Sequence, residues 1–558
     1  MTSAPASSSA VSTASEEAAP WWRDAVFYQV YPRSYADSDG DGMGDLRGIT
    51  ARLDHVAALG ADALWLSPFY PSPQVDAGYD VSDYCDVDPM FGTLDDFDEL
   101  LAAAHERGLR VTIDLVPNHC SDQHPWFRAA VAAGRGSAER SRFHFVDGRG
   151  PDGDLPPNNW RSVFGGPSWT RVTEPDGTPG QWYYHLFAAE QPDFDWGNPE
   201  ILTEFERILR FWLDRGVDGF RIDVSDALIK DTTWPDTEDG SPVIPKDESS
   251  AVHDVYRAFR RVMDEYPGDR MAVIETGAPD DVVAAFLRPD EMHLAFNFRF
   301  VKAGWDGASL RAAVDESIAA NAAVGAPTTW VTDNHDTTRS VTRYGADVTL
   351  VGDYVPDVAQ ERALDPEAFA RGTRRARAMS VLLLSLPGAA YVYAGQELGL
   401  PEVEDLPLEV LQDPAVARSG GRVRGRDGCR VPLPWSGVRP PFGFAADDAA
   451  TWLPQPEGWA SLTVERQEAD PASMLALYRS VLALRRAEPA LRSGSVSWEE
   501  PGPDLLVLRR RAAAGGRELR VVVNLTEEPV ELPAGEVLVA SSPVDGGMLA
   551  GESAVVLA

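Results

Sequence analysis

The feature that most constrains this chain is a unit that recurs along it: a short apolar run, an amphipathic stretch closed by glycine, then another apolar run. Val26 to Tyr31, Ala63 to Leu66, Val111 to Leu115, Gly219 to Ile222, Met271 to Ile274, Met292 to Ala295, Thr329 to Val331 and Ala390 to Tyr393 read as strands. Between them, Ile49 to Leu59 reads as a helix stopped by Gly60. Thr93-Leu94-Asp95-Asp96 reads as a capping box opening a helix that runs to Arg107 and stops at Gly108. Repetition of strand, helix and strand implies parallel strands joined by right-handed crossovers. Eight such strands predict an α/β chain folded as a (β/α)8 barrel, in which chemistry sits at the C-terminal ends of the strands. Asp114, Asp223, Glu275 and Asp336 all fall at or just beyond such ends.

The strand reached through Val217-Asp218-Gly219-Phe220-Arg221-Ile222-Asp223-Val224 has the most pointed chemistry. Asn198-Pro199 caps the preceding helix and Gly216 ends it, so the chain enters this strand by a tight stop. Arg221 and Asp223 are two apart and project to the same side. A cation and an anion on one side of a core strand are expensive to bury unless paired. Taken alone, the stretch fits a structural ion pair and an active-site pair equally well.

Gly219-Phe220-Arg221-Ile222-Asp223 resembles the nucleophile region of the alpha-amylase superfamily, glycoside hydrolase family 13. Asp114-Leu115-Val116-Pro117-Asn118-His119, Val273-Ile274-Glu275 and Asp333-Asn334-His335-Asp336 resemble that family's other signature regions, in the same order. The resemblance runs from about Trp22 to the C-terminus. It implies a barrel over residues 21–118 and 197–488, interrupted after the third strand by an inserted domain over 119–196. That segment is rich in Gly, Pro, Asn and Trp and too long for a strand-to-helix loop. After an irregular stretch from Gly395 to Gln467 and a helix from Ser473 to Arg486, residues 489–558 resemble the family's C-terminal antiparallel β domain.

The resemblance also implies roles. Asp223 would be the nucleophile, kept ionised by Arg221, and Glu275, after an apolar run where desolvation favours a held proton, the acid/base. Asp336, with His335, would hold the sugar hydroxyls. In Asp76-Ala77-Gly78-Tyr79-Asp80-Val81, read locally as a turn into a strand, Asp76 would bind the terminal sugar and Tyr79 stack on it, with Asp80 structural. His119, Phe164, Phe187 and Gln191 match pocket positions. In Gly425-Arg426-Asp427-Gly428-Cys429-Arg430, Arg426 would pair with Asp76 and wall off the cleft, with Arg430 as the alternative. Thr276-Gly277 departs from the usual Ala-Trp after the acid, and Phe194 and Asp195 from the usual Leu and Asn.

Asp37-Ser38-Asp39-Gly40-Asp41-Gly42-Met43-Gly44-Asp45 is either a solvated acidic turn or a cation loop. Gly48 stands where an EF-hand needs glutamate. The family's calcium loop fits better and implies ligands from Asp37, Asp39, Asp41, Asp45 and the Met43 carbonyl, with magnesium the less expected ion.

The implied function is a retaining, exo-acting alpha-glucosidase on maltose, isomaltose or short oligosaccharides, with transglucosylation as a side reaction; the alternatives within the family are a trehalose synthase and a sucrose isomerase or hydrolase, which use the same triad. A non-catalytic transporter heavy chain would need a membrane anchor and no triad. Ala378 to Val392 is too short to span a bilayer and contains Pro387 and Gly388. Lys and Arg number 50 against 87 Asp and Glu, a net charge of -37, which argues against nucleic acid or acidic membrane as partner. Residues 1–20 read as a disordered Ser/Ala-rich tail with no secretory signal. Cys85, Cys120 and Cys429 show no metal or redox spacing, so a cytoplasmic monomer or weak homo-oligomer is expected.

Overall fold

A computed structural model describes residues 19–558 except 248, 347–364, 447–448, 501, 503 and 513–514; positions 1–18 of the expected tail lie outside the described residues. Eight strands form the central sheet: β1 (Val26–Val30), β2 (Ala63–Leu66), β3 (Arg110–Leu115), β4 (Gly219–Ile222), β5 (Met271–Ile274), β6 (Leu294–Ala295), β7 (Thr329–Trp330) and β8 (Ala389–Tyr393). They pair in parallel in the order β7-β8-β1-β2-β3-β4-β5-β6, so the sheet curls into a nearly closed barrel with its seam between the two shortest strands. Because both faces are covered, the strands read as continuous apolar runs. Phe27, Trp65, Val273, Leu294 and Tyr391 fill one side of the wall, and Tyr28, Leu64, Ile113 and Phe220 pack on the other.

Local signals settle most element ends. The helix Pro199–Arg215 starts where the Asn198 side chain accepts from the Glu200 N–H, and ends at Gly216 with φ 105°. The Thr93 to Asp96 capping box opens the helix Leu94–Glu106. Two expectations fail. The stretch 49–59 is two helices, Leu46–Ala51 and Leu53–Leu59, broken at Arg52. There the Arg52 guanidinium reaches out to the Gly443 carbonyl and stacks on Trp435, tertiary contacts that helical periodicity cannot signal. No strand follows Asp76 either: the segment stays in turns because the Asp80 carboxylate takes the N–H groups of Val75 and Asp76 and the Ser72 hydroxyl.

Between β3 and the helix Pro199–Arg215 lies a three-stranded antiparallel sheet, with Pro179–Tyr184 flanked by Phe145–Val146 and Trp169–Thr173. Trp160, Trp169, Tyr184 and Trp234 pack edge to face or tilted beside it. The C-terminal part is a five-stranded antiparallel sheet. One of its faces, carrying Leu508, Val521 and Val556, shares the main core, and Glu552 receives Arg375 Nε at 2.7 Å from the helix Pro366–Ser385. Among the described residues no helix is long and apolar enough to cross a membrane.

Gly219 sets the spacing of the two strands that carry the chemistry. A Cβ there would stand 2.4 Å from the Met271 carbonyl oxygen on β5. Gly219→Ala should therefore force β4 and β5 apart and destabilise the fold by about 1–3 kcal/mol. Urea denaturation tests this, and an unchanged midpoint would show that the wall yields without cost.

Candidate active site

Register places the first part of the site. Asp114 on β3 lies opposite Arg221 on β4, and Asp223 and Glu275 directly follow β4 and β5. The Arg221 guanidinium is 1% exposed; its Nη1 donates to Asp114 Oδ1 at 2.6 Å and to Asp223 Oδ1 at 2.7 Å. Its Nη2 lies 2.7 Å from Glu275 Oε2. Trp65 Nε1 adds a donor to Asp114 Oδ2 at 3.0 Å. One cation thus holds three buried carboxylates. The expectation that Arg221 would keep Asp223 low is not met, because the guanidinium is divided among the three. Burial pushes the Asp223 carboxyl well up, Arg221 opposes this, and Glu275, Asp114 and Asp336 push it further up. Burial likewise raises Asp114 to about 6 against the pull of Arg221. The cluster is built to share a proton.

Glu275 divides its oxygens. Oε2 receives Arg221 and, at 3.3 Å, the Val224 N–H, whereas Oε1 is buried without a hydrogen-bond partner among the described residues. Val224 supplies that N–H from a backbone with φ 45°, strained for a β-branched residue.

Asp336 is held differently. Its Oδ1 accepts from Arg426 Nη1 at 3.0 Å and Arg430 Nη2 at 2.9 Å, and its Oδ2 lies 3.1 Å from His335 Nε2. Burial opposes charge on Asp336, but His335, Arg426 and Arg430 reverse this and hold the carboxyl well below the usual range. Burial keeps His335 itself neutral, so the arginines supply the positive charge. Gln29 Nε2 faces His335 Nδ1 at 2.7 Å, and Tyr79 stacks on the ring at 5.5 Å.

Arg426, rather than Arg430, pairs with Asp76. Its Nη2 donates to Asp76 Oδ1 at 2.7 Å, its Nε to Asp413 Oδ2 at 2.5 Å, and it lies over the Phe164 ring at 5.2 Å. Asp76, Tyr79, His119, Phe164, Phe187, Asp223, Val224, Glu275, Asp336 and Arg426 line one cavity with about 340 Å³ of empty volume. Gln191, His335 and Arg221 do not line it; they stand behind and support it, Gln191 Nε2 donating to Asp76 Oδ2 at 3.1 Å. Asp413 was not legible as a site residue. Its one local signal, a helix cap before Pro414, says nothing of Arg426. Thr276, Gly277 and Asn297 line a second cavity with residues of the helix Gly307–Ala323, and none of its lining residues lines the first.

In the acidic loop, Asp37, Asp39 and Asp45 bring carboxylate oxygens within 4.8 Å of one another. Asp41 stands outside that group, its carboxylate accepting from the Met43 N–H at 2.7 Å. Gly42, at φ 91°, lies against the Ala450 carbonyl, where a Cβ would come within 2.0 Å.

Residues 29–494 match the family described as "Alpha amylase, catalytic domain", and residues 492–556 match a domain of unknown function. The chain belongs to the alpha-amylase family, glycoside hydrolase family 13. It is 40% identical to a probable alpha-glucosidase of Rhizobium meliloti (strain 1021), covering 92% of this chain and 91% of that one. It is 34% identical to trehalose-6-phosphate hydrolase of Escherichia coli (strain K12), covering 92% and 93%. Among solved structures, an alpha-glucosyl transfer enzyme superposes with a TM-score of 0.82 at 35% identity, over 97% of this chain and 99% of that one. A trehalulose synthase of Pseudomonas mesoacidophila MX-45 gives a TM-score of 0.82 at 30% identity, over 97% and 100%. As a glycoside hydrolase of family 13, the chain places its carboxylates at strand ends around one cavity.

Arg221→Met should leave three buried carboxylates unpaired and cost about 3–5 kcal/mol at pH 8. Without the guanidinium the folded variant holds protons that the unfolded chain releases, so it binds more protons folded and regains stability as pH falls. Urea denaturation from pH 8 to pH 5 should show the gap to wild type narrowing. A gap that stays constant or widens would mean that Arg221 does not neutralise the cluster.

Proposed function

We propose that this family 13 hydrolase is a retaining, exo-acting alpha-glucosidase. Its substrates would be maltose, isomaltose or short oligosaccharides, from which it removes terminal alpha-linked glucose. The observation that carries this reading is the Arg426–Asp76 pair in the lining of the catalytic cavity, which on this reading closes the cavity behind a single sugar ring. A blind cavity admits chain ends only. The similarity to proteins named alpha-glucosidase and oligo-1,6-glucosidase supports it.

Asp223, aligned by Arg221, attacks the anomeric carbon while Glu275 gives its proton to the leaving oxygen; the glycosidic C–O bond breaks and a beta-glucosyl ester forms. Glu275 then takes a proton from the incoming water, which displaces Asp223 and restores the alpha configuration. The unpartnered Oε1 of Glu275 is the oxygen placed to carry that proton. Two carboxylates on one guanidinium stand close, as double displacement needs, whereas inversion requires a gap of about 6.5–9.5 Å for water. Asp336, kept ionised by two arginines, takes the sugar hydroxyls. Glucosyl transfer to an acceptor sugar in place of water would be the side reaction of the same intermediate. Three free cysteines suit a reducing, cytoplasmic setting.

We also infer that the acidic loop holds a structural cation. Three carboxylates facing one another fit a hard ion such as calcium, with Asp37, Asp39 and Asp45 as ligands and the Met43 carbonyl on the same turn. The ion would tie the loop after β1 together and take no part in turnover.

The role assignment is tested with Glu275→Gln and Asp223→Asn on maltose and on an aryl alpha-glucoside. Glu275→Gln should recover by orders of magnitude on the aryl substrate, and added azide should release beta-glucosyl azide. Asp223→Asn should show neither effect. Rescue of Asp223→Asn instead would exchange the roles, and early NMR traces showing the beta anomer of glucose first would exclude retention. For the loop, chelation should lower the Tm and leave initial rates unchanged, because a ligand bound only to the native state stabilises it. Immediate loss of turnover with the fold intact would place the ion in catalysis.

A further inference from the structure

Lys230, on the segment after β4, lies against the inserted sheet's last turn with its side chain 0% exposed. Its ammonium spends all three hydrogens: on Asp193 Oδ2 at 2.7 Å, Asn118 Oδ1 at 2.6 Å and the Ala227 carbonyl at 2.5 Å. Asp193 also accepts from the Leu186 N–H at 2.9 Å and from Asn118 Nδ2 at 3.0 Å. The Asn118 amide is therefore locked, oxygen toward the ammonium. One of its two N–H hydrogens goes to Asp193, and the other faces His119 Nδ1 at 3.1 Å.

The opposite nitrogen of His119 faces a second amide. Gln191 Nε2 lies 3.1 Å from His119 Nε2, and this amide is also oriented, its Oε1 accepting from Ala188 N and its Nε2 donating to Asp76. Burial holds His119 down to about 4, so at neutral pH the ring is uncharged. A neutral imidazole accepts at one nitrogen and donates from the other. Two amide donors thus compete for one acceptor. A hydrogen on Nδ1 would meet the Asn118 N–H, because Lys230 holds the Asn118 oxygen away. A hydrogen on Nε2 lies on the side of the cavity that His119 lines, where a hydroxyl can accept it.

We propose that Lys230 is a positioning residue that, through Asn118, fixes His119 as the Nε2–H tautomer, so that the ring offers a sugar hydroxyl a donor and not an acceptor. This rests on the reading that the cavity takes a glucosyl unit. A sugar hydroxyl on the Gln191 side of the ring can then accept that hydrogen. Without Lys230, Asn118 is free to turn its oxygen to Nδ1–H and stabilise the other tautomer.

The tautomer is read directly from long-range proton–nitrogen NMR spectra of the full chain labelled with 15N-histidine, the His119 signal being identified by its loss in His119→Gln. The expected wild-type pattern is an unprotonated Nδ1 and a protonated Nε2; a protonated Nδ1 overturns the proposal and leaves the glucosidase reading untouched. Lys230→Met should move the population toward Nδ1–H. Lys230→Met/Asp193→Asn, which removes the carboxylate left unpaired, should do the same in a chain that keeps its fold. A tautomer unchanged in the double variant overturns the role of Lys230. Kinetics with aryl alpha-glucosides lacking one hydroxyl at a time supply a second readout. In wild type the loss of the hydroxyl that meets His119 should cost about 3- to 10-fold in kcat/KM, the worth of one neutral hydrogen bond. In the double variant that penalty should shrink, because the Nδ1–H ring presents an Nε2 acceptor for which Gln191 Nε2 competes with the hydroxyl. If activity falls but every deoxy penalty persists undiminished, Lys230 serves only the fold and the proposal fails.

Discussion

One guanidinium shared by three carboxylates is the constraint on which this structure turns. Arg221 is buried at the middle of the barrel mouth and bonded to Asp114, Asp223 and Glu275 from three adjacent strands. A buried cation among more anions than it can neutralise is costly. The arrangement persists because the backbone register of β3, β4 and β5 leaves the groups nowhere else to go. The same imbalance is useful, since a cluster short of positive charge retains a proton, as a general acid must.

A second charged centre completes the pocket from the other side. Arg426 joins Asp76, Asp336 and Asp413, three residues from distant parts of the chain, and so ties two of the cavity's carboxylates to one cation. The two centres differ in balance. Around Asp336, Arg426 and Arg430 outweigh burial and keep the carboxylate charged; around Asp223, burial outweighs a divided Arg221. One barrel mouth therefore presents a permanently ionised carboxylate beside a proton-sharing cluster.

The inserted sheet contributes by support more than by contact. Its return to the barrel is pinned by Lys230, Asp193 and Asn118, buried groups whose hydrogen bonds are all satisfied within the protein. His119 faces one of those groups, the Asn118 amide. Such networks rigidify a site when complete and cost most when broken.

The sequence by itself determined the alternation of strands and helices and most helix ends, through signals local to a few residues: apolar runs between glycine stops and the Thr93 and Asn198 caps. The i, i+2 spacing of Arg221 and Asp223 left an ion pair and a site equally open, and the carboxylates were singled out only by their resemblance to the family's motifs. Arg426 was legible only through the motif it shares with the family. What the tertiary structure alone decided is electrostatic balance and who stands behind whom. The break at Arg52, the hold of Asp413 on Arg426 and the buried Lys230 arise from contacts between segments far apart in the chain, and no local pattern encodes them. The proton affinity of Asp223 belongs with these. The sequence shows one neighbouring cation, but the field at a buried carboxylate is the sum over every charge the fold gathers, and here the fold gathers three more acids around it.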